Sequence, residues 1–171
     1  MSHTPFFIGR VDDGRCMKQY SVSLDNSAKV ITGLVLALTV SLLAFGAFKP
    51  GVVLAIVMVI CYGYQPQKYT LTPNTLTVVR LFGAVSFDLN KIREVQEIAP
   101  EQMKLSLRAF AVGGLFGYYG RFVNASLGRM TWYATRRSNY VLVRMADDRR
   151  IVLTPDEPKQ LVADLSRLLA A

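Results

Sequence analysis

The sequence predicts a mainly β domain joined to a pair of membrane-spanning helices. Three observations lead to this fold class. Residues 30–48 form an apolar run that contains no charged side chain. Beyond Pro66, short runs that alternate apolar and polar side chains are separated by Gly, Pro, Asn and Asp, which is typical of strands and turns. The chain closes with a segment whose leucines recur at helical spacing, which indicates one amphipathic helix.

The run over residues 30–48 is long enough to cross a bilayer. As an α-helix it would extend roughly 28 Å, close to the thickness of the hydrocarbon core. Lys49-Pro50-Gly51 is predicted to end it, and a second uncharged run follows over residues 51–67. Its apolar part is shorter, roughly 21–24 Å, and ends in Tyr62 and Tyr64, which suit a membrane–water interface. The absence of a polar stripe favours a membrane hairpin over a helical hairpin buried in a soluble protein. Whether the second run spans fully or is re-entrant stays open.

Basic residues near the two runs predict the orientation. They stand before the first run and after the second, whereas the connecting loop carries Lys49 alone, and cytoplasmic flanks are the ones enriched in such residues. The flanking cations are Arg10, Arg15, Lys18, Lys29, Lys68 and Arg80. We therefore expect both termini in the cytoplasm and the 49–51 turn outside. The expected division is an N-terminal cytoplasmic segment (1–29), a transmembrane hairpin (30–65) and a cytoplasmic domain (66–171).

Strand patterns occur on both sides of the hairpin. Residues 19–25 alternate apolar and polar side chains and are expected to pair with the sheet of the C-terminal domain, and Asp25-Asn26-Ser27 offers a cap for the first helix. Seven strands are predicted beyond the hairpin: 68–72, 75–82, 85–89, 104–112, 128–135, 139–145 and 150–153. Residues 91–98 are ambiguous between strand and helix. Residues 113–122, rich in glycine and aromatics, are predicted to form a loop, and Thr154-Pro155-Asp156 to start the last helix.

Three segments carry a resemblance to a known family. They are YTLTPNTLTVVRLFGAVSFDL (69–89), GGLFGYYGRFVNASLGRMTWYAT (113–135) and NYVLVRMADDRRIVLTPDEP (139–158). In this order they resemble the bacterial pleckstrin-homology (PH-like) domain families, over roughly residues 66–170. The resemblance implies a seven-strand, partly open barrel capped by the C-terminal helix, in a protein of the bacterial inner membrane. It implies little about activity, since a fold does not fix a function.

Catalytic chemistry is not expected. His3 is the only histidine, which removes histidine-based triads and most zinc sites. Asp12-Asp13 and Asp147-Asp148 are interpreted as turn formers, and Asp156-Glu157 as residues of the helix N-terminus. Cys16 and Cys61 form neither a disulfide framework nor a metal site. We predict no enzyme, no metal and no cofactor.

The expected binding surface is basic and aromatic. The chain carries a formal charge of +8, of which about +6 lies in residues 68–171 (fifteen Lys and Arg against nine Asp and Glu). The aromatics of the 113–122 loop could enter a lipid headgroup region while arginines bind phosphates, or they could pack on the barrel as part of a bulge or tight crossover. The candidate lipid- or partner-binding residues are Phe116, Tyr118, Tyr119, Arg121, Arg129, Arg136 and Arg137. A nucleic-acid partner is not expected, because the strand–helix order of an RRM is absent.

Two functions follow from this sequence. The first is a membrane-anchored PH-like binding or scaffold module at the cytoplasmic leaflet, which binds anionic lipid, a protein partner or a second copy of itself. The alternative is an accessory subunit of a larger membrane complex, assembled through the hairpin. Gly33 and Ala37, small residues four apart on the first segment, would allow close helix packing in such a complex.

Overall fold

The computed structural model describes residues 17–103, 106–124 and 127–170. The expectations for His3, Arg10, Asp12-Asp13, Arg15 and Cys16 fall outside these residues. Four α-helices, a short 3-10 helix (Leu89–Lys91) and ten strands are formed within the described part of the chain. In chain order, the α-helices and strands are β1 (Lys18–Ser21), α1 (Asn26–Ala44), α2 (Phe48–Tyr64), β2 (Pro66–Leu71), β3 (Thr75–Arg80), β4 (Ala84–Asp88), β5 (Ile92–Ile98), α3 (Pro100–Met103), β6 (Ser106–Gly113), β7 (Tyr118–Asn124), β8 (Gly128–Ala134), β9 (Tyr140–Met145), β10 (Arg150–Leu153) and α4 (Pro158–Leu169).

Helices α1 and α2 form an antiparallel hairpin. Asp25 caps α1, as predicted, because its carboxylate accepts the Ala28 N–H at 2.7 Å. The two helices meet midway, where the Thr39 hydroxyl lies 3.5 Å from the Met58 sulfur. By length and composition α1 could cross a membrane, with 11% of its most apolar window buried, whereas α2 is a shorter apolar helix of 17 residues.

The break between the helices lies earlier than predicted. The chain turns at Gly46, whose φ of +80° is open to glycine, and the Ala47 N–H bonds to the Leu42 carbonyl at 2.9 Å, as in a Schellman motif. Lys49-Pro50-Gly51 does not end a helix but lies in the first turn of α2. Proline is tolerated there because the first N–H groups of a helix need no intrahelical acceptor.

The strands form two sheets. Sheet A has the order β1-β2-β3-β4 and is antiparallel throughout. Sheet B has the order β5-β9-β10-β8-β7-β6, in which only the β8–β10 pair is parallel. The N-terminal strand pairs with β2, which places Tyr20 opposite Tyr69 and confirms the predicted pairing.

Nine strands follow the hairpin among the described residues, where seven were expected. The two additional strands are β5 and β7. Residues 91–98 have apolar side chains that also fit a helix, but residues 92–98 form β5, which pairs with β9. Most of the predicted 113–122 loop belongs to a β-hairpin, in which residues 114–117 turn the chain and Tyr118 begins β7.

Two apolar cores lie on opposite faces of sheet B. Val141 and Val143 of β9 face the first core, which sheet A and α4 complete. Leu142 faces the second core, where the Trp132 ring stacks on Phe122 with a centroid distance of 4.3 Å. The predicted apolar stripe of α4 packs on the first core, although the helix begins at Pro158, later than expected.

Candidate membrane-facing site

The open end of the hairpin carries the β domain. At the C-terminal turn of α2, the Gly63 carbonyl accepts the Phe82 N–H at 2.8 Å, and the Phe82 ring meets the Tyr64 ring edge-on at 5.9 Å. A Cβ at position 63 would lie 2.1 Å from the Phe82 ring, so only glycine allows this approach. The turn between β3 and β4 is therefore fixed beside the end of α2.

The turn between β6 and β7 docks on both helices. The Phe116 N–H donates to the Thr32 hydroxyl of α1 at 3.0 Å, and its ring meets the Tyr62 ring of α2 at 5.4 Å. Phe116 has a φ of 56°, a left-handed conformation that residues with a side chain rarely adopt. A Cβ at Gly114 would lie 2.6 Å from the Ile31 side chain. Phe116, for which both headgroup contact and packing on the barrel were considered, is thus half-buried against the hairpin.

Tyr118 and Tyr119 point to opposite faces of β7. Tyr118 is buried in the second core. Tyr119 donates its hydroxyl hydrogen to the Cys61 carbonyl of α2 at 2.7 Å. Burial, followed by the nearby Cys61 side chain, raises the pKa of Tyr119 well above its ordinary value. It therefore remains a neutral donor, and both tyrosines serve packing in this structure.

Asp25 joins α1 to the turn between β8 and β9. Besides capping the helix, its carboxylate accepts the Arg137 N–H at 3.1 Å, and its own N–H donates to the Thr135 carbonyl at 3.3 Å. The Arg137 guanidinium lies over the Tyr118 ring, 4.7 Å from its centroid, while the residue stays exposed. Arg137 is thereby placed at the hairpin end of the domain.

Arg136 is engaged within the protein. Its guanidinium pairs with the Asp156 carboxylate and binds the Ser23 hydroxyl, and its Nε donates to the Ser23 carbonyl at 3.3 Å. The side chain is 17% exposed. Arg136 links the N-terminal segment to the start of α4, so little of its side chain is accessible to an external ligand.

Arg121 and Arg129 lie on the Tyr119 face of sheet B. Arg121 is opposite Thr131, and Arg129 is opposite Val123, which places the two arginines diagonally on neighbouring strands. Both are exposed, and no acidic side chain of the described residues pairs with either. The structure therefore divides the four predicted arginines into an exposed pair, an exposed residue at the hairpin end and one internal ion pair.

The sequence interpretation missed the turn between β3 and β4. Leu81 and Phe82 are 55% and 44% exposed, and the Arg80 guanidinium lies 5.5 Å from the Tyr64 ring centroid and 5.9 Å from that of Tyr133. These residues were assigned to a strand. The signal that could have revealed them is an apolar pair that follows an arginine directly before Gly83, a turn residue.

The comparisons with known proteins give one match. The family model described as Bacterial PH domain matches residues 67–169, which comprise β2 without its first residue, strands β3 to β10 and all of α4. No curated protein and no solved structure matches the chain. Within the described residues, no group of three or more His, Cys, Asp or Glu side chains could hold a metal ion.

Proposed function

This chain belongs to the bacterial PH domain family, and from that premise we propose that it is a non-catalytic binding module anchored to the cytoplasmic leaflet of the bacterial inner membrane. PH-like domains are generally binding modules without enzymatic activity. The proposal includes the division into an N-terminal segment (1–29), a two-pass hairpin (30–65) and a cytoplasmic PH-like domain (66–171).

The observation that carries the proposal is the exposed apolar surface of the hairpin. Leu34 of α1 and Val59 of α2 are 66% and 61% exposed, and most of the other large apolar residues along both helices are exposed as well, whereas Met58 is buried between the helices. Burying one such side chain stabilises a protein by roughly 1.5–3 kcal/mol. Soluble monomers rarely leave a continuous surface of this kind in water, so a bilayer is the environment that fits it.

The distribution of cations supports the cytoplasmic orientation. Lys18, Lys29 and Lys68 lie at the domain end of the hairpin, together with the basic PH domain, whereas Lys49 stands alone near the opposite turn. Positive residues are retained on the cytoplasmic side of a membrane. Both ends of the hairpin then face the cytoplasm.

The ligand that this orientation favours is an anionic lipid headgroup. Arg137 is exposed at the hairpin end, and Arg121 is exposed on β7 two residues beyond Tyr119, which bonds to α2. Arg129 lies further from the hairpin, beside the start of β10. Each cation near an anionic leaflet contributes about 1 kcal/mol of attraction. A protein partner or a second copy would use the same exposed arginines as donors to acidic side chains.

The test has two arms, of which the first concerns anchoring. Single cysteines are introduced in a chain without Cys16 and Cys61, one as Phe45→Cys in the hairpin turn and one as Lys159→Cys in α4. A membrane-impermeant maleimide should label the first in intact spheroplasts and the second only after permeabilisation. The reverse pattern, or protection of both sites after permeabilisation, would contradict the proposed topology.

The second arm concerns the ligand. Detergent-solubilised full chain is titrated with short-chain phosphatidylglycerol or phosphatidylcholine, and the R121A/R137A variant should lose about tenfold in affinity for the anionic lipid. The matched control removes two cations that are already paired at the far end of the domain, as K91A/R149A. Equal affinities for the two lipids, or equal losses in the two variants, would exclude this lipid surface.

The second candidate is an accessory subunit assembled through the hairpin. A Cβ added at Gly33 would meet nothing within 4 Å, and Ala37 is exposed one turn further along α1. A neighbouring transmembrane helix could therefore approach the backbone closely there. An oligomer of the full chain in detergent that Gly33→Leu dissociates would favour this alternative.

A further inference from the structure

We propose that the turn between β3 and β4 inserts Leu81 and Phe82 into the interfacial layer of the bilayer, with Arg80 bound to lipid phosphate at its edge. The partner is the phospholipid leaflet in which the hairpin stands, so the inference rests on the proposed function. It adds a second, non-helical membrane contact to the anchor.

Exposure separates this turn from the rest of the domain. Beyond the hairpin, three large apolar side chains are exposed among the described residues: Leu81 at 55%, Phe82 at 44% and Val123 at 38%. Two of the three are adjacent at the tip of one turn. Single exposed apolar residues are ordinary on protein surfaces. An apolar pair at the tip of a turn, where polar residues are usual, indicates that the turn contacts an apolar environment.

The contacts of Phe82 fix the depth of the turn. Its N–H bonds to the Gly63 carbonyl and its ring packs on Tyr64, so the turn lies beside the last turn of α2. Tyr62 and Tyr64 are themselves 47% and 43% exposed, and tyrosines at a helix end are typical of the headgroup level. Leu81 and Phe82 therefore lie at the level where a bilayer changes from hydrocarbon to headgroups.

The length of α2 gives this position a physical role. Its 17 residues extend roughly 25 Å, about 5 Å less than the usual hydrocarbon core. A short span is matched by local thinning of the bilayer or by flanking residues that complete the apolar belt. Phe82 packs beside the end of the shorter helix, and Leu81 precedes it in the same turn. The two side chains therefore add apolar surface next to the end of α2, where the helix itself is too short to cover the hydrocarbon core.

Arg80 completes the interfacial character of the turn. Its guanidinium lies near the Tyr64 and Tyr133 rings, and its buried Nε has no hydrogen-bond partner within the described chain. No acidic side chain of the described residues pairs with it. An arginine beside inserted apolar residues keeps its stem in the apolar layer and directs its head to phosphates.

The test places a tryptophan at the turn of the full chain. Trp132 is first replaced by Phe, which leaves no native tryptophan, and Leu81→Trp is then introduced. In nanodiscs, lipids brominated on their acyl chains should lower the emission of Leu81→Trp about twofold, because an inserted side chain lies about 5–10 Å into the headgroup–acyl boundary. Val123→Trp is the matched control, since it is also exposed but lies on β7, and its emission should not change.

A third variant separates the two possible failures. Leu34→Trp reports whether α1 is in the bilayer. Quenching of Leu34→Trp without quenching of Leu81→Trp would overturn the inserted turn and leave the anchor intact. Absence of quenching at both positions would overturn the proposed membrane anchor itself. If the Trp132→Phe background does not fold, a bimane label at Leu81→Cys, Val123→Cys or Leu34→Cys, in a chain without Cys16 and Cys61, gives the same comparison.

Discussion

Replacement of Asp25 by Ala tests whether α1 and the domain form one rigid unit. The carboxylate holds two backbone N–H groups at once, that of Ala28 in the first turn of α1 and that of Arg137 in the turn between β8 and β9. The Tyr118 hydroxyl lies 3.5 Å away, which is too long to add much. Loss of the carboxylate removes both close contacts and leaves the two N–H groups without this acceptor.

The expected cost follows from these two contacts. A lost N-cap destabilises a protein by about 1 kcal/mol, and a lost hydrogen bond of this kind by about 1 kcal/mol more. For a chain of this size, about 2 kcal/mol lowers the melting temperature by about 4–8 °C. Asp25→Asn keeps a capping oxygen but presents an NH2 group to the second donor, so we expect about half of this effect.

Trp132 provides the assay. It is the single tryptophan, buried in the second core together with Ala28, so its emission reports the melting of the part of the domain that α1 contacts. Thermal melts of the full chain in detergent should rank the parent above Asp25→Asn and Asp25→Asn above Asp25→Ala. A melting temperature of Asp25→Ala within about 1 °C of the parent would refute the rigid junction.

Two further predictions concern packing and pH. Gly63→Ala should destabilise the chain by about 1–3 kcal/mol, because its Cβ meets the Phe82 ring. Gly33→Ala should not destabilise it, because no atom lies within 4 Å of a Cβ at that position. Equal melting temperatures of the two variants would contradict the close approach of Gly63 to Phe82. Burial, and then the hydrogen bond to Asp164, raises the pKa of Tyr20 above its ordinary value of 10.0. Its contribution to stability is therefore complete below about pH 10 and is lost as the pH rises further. In Tyr20→Phe, the melting temperature of the full chain should fall less steeply above about pH 10 than in the parent. An unchanged dependence of the melting temperature on pH would refute the assignment to Tyr20.

Local rules predicted the parts of the fold that depend on neighbours in sequence. The cap at Asp25, the hairpin between β2 and β3 and the pairing of β1 follow from residue type and alternation. The break of the helical hairpin was misplaced because Lys49-Pro50-Gly51 has the composition of a helix end and equally that of a first turn. The chain instead turns at Gly46, three residues earlier, where the N–H groups of Gly46 and Ala47 bond to the last carbonyls of α1. The sequence prediction did not consider a turn at this glycine.

The site was harder to predict because distant partners decide it. Arg136 and Arg137 are adjacent and equivalent in sequence, yet Arg136 pairs with Asp156 and Ser23, while Arg137 remains exposed. Ser23 is 113 residues away along the chain, and nothing local marks it as a partner. Aromatic composition likewise suggested a ligand surface at Phe116, whose partners lie on the helices.

The end of α2 gives a physical reason for a fixed orientation of the domain. The last four carbonyls of a helix have no intrahelical donor, and such groups are costly to leave unpaired near a bilayer. Here the Cys61 carbonyl accepts the Tyr119 hydroxyl, the Tyr62 carbonyl accepts the Gln65 N–H, and the Gly63 carbonyl accepts the Phe82 N–H. Two of these three donors belong to the domain, so the domain caps the C-terminal end of α2. Rotation of the domain away from the hairpin would expose those carbonyls, and a ligand bound to the domain would therefore act on a hairpin that is coupled to it.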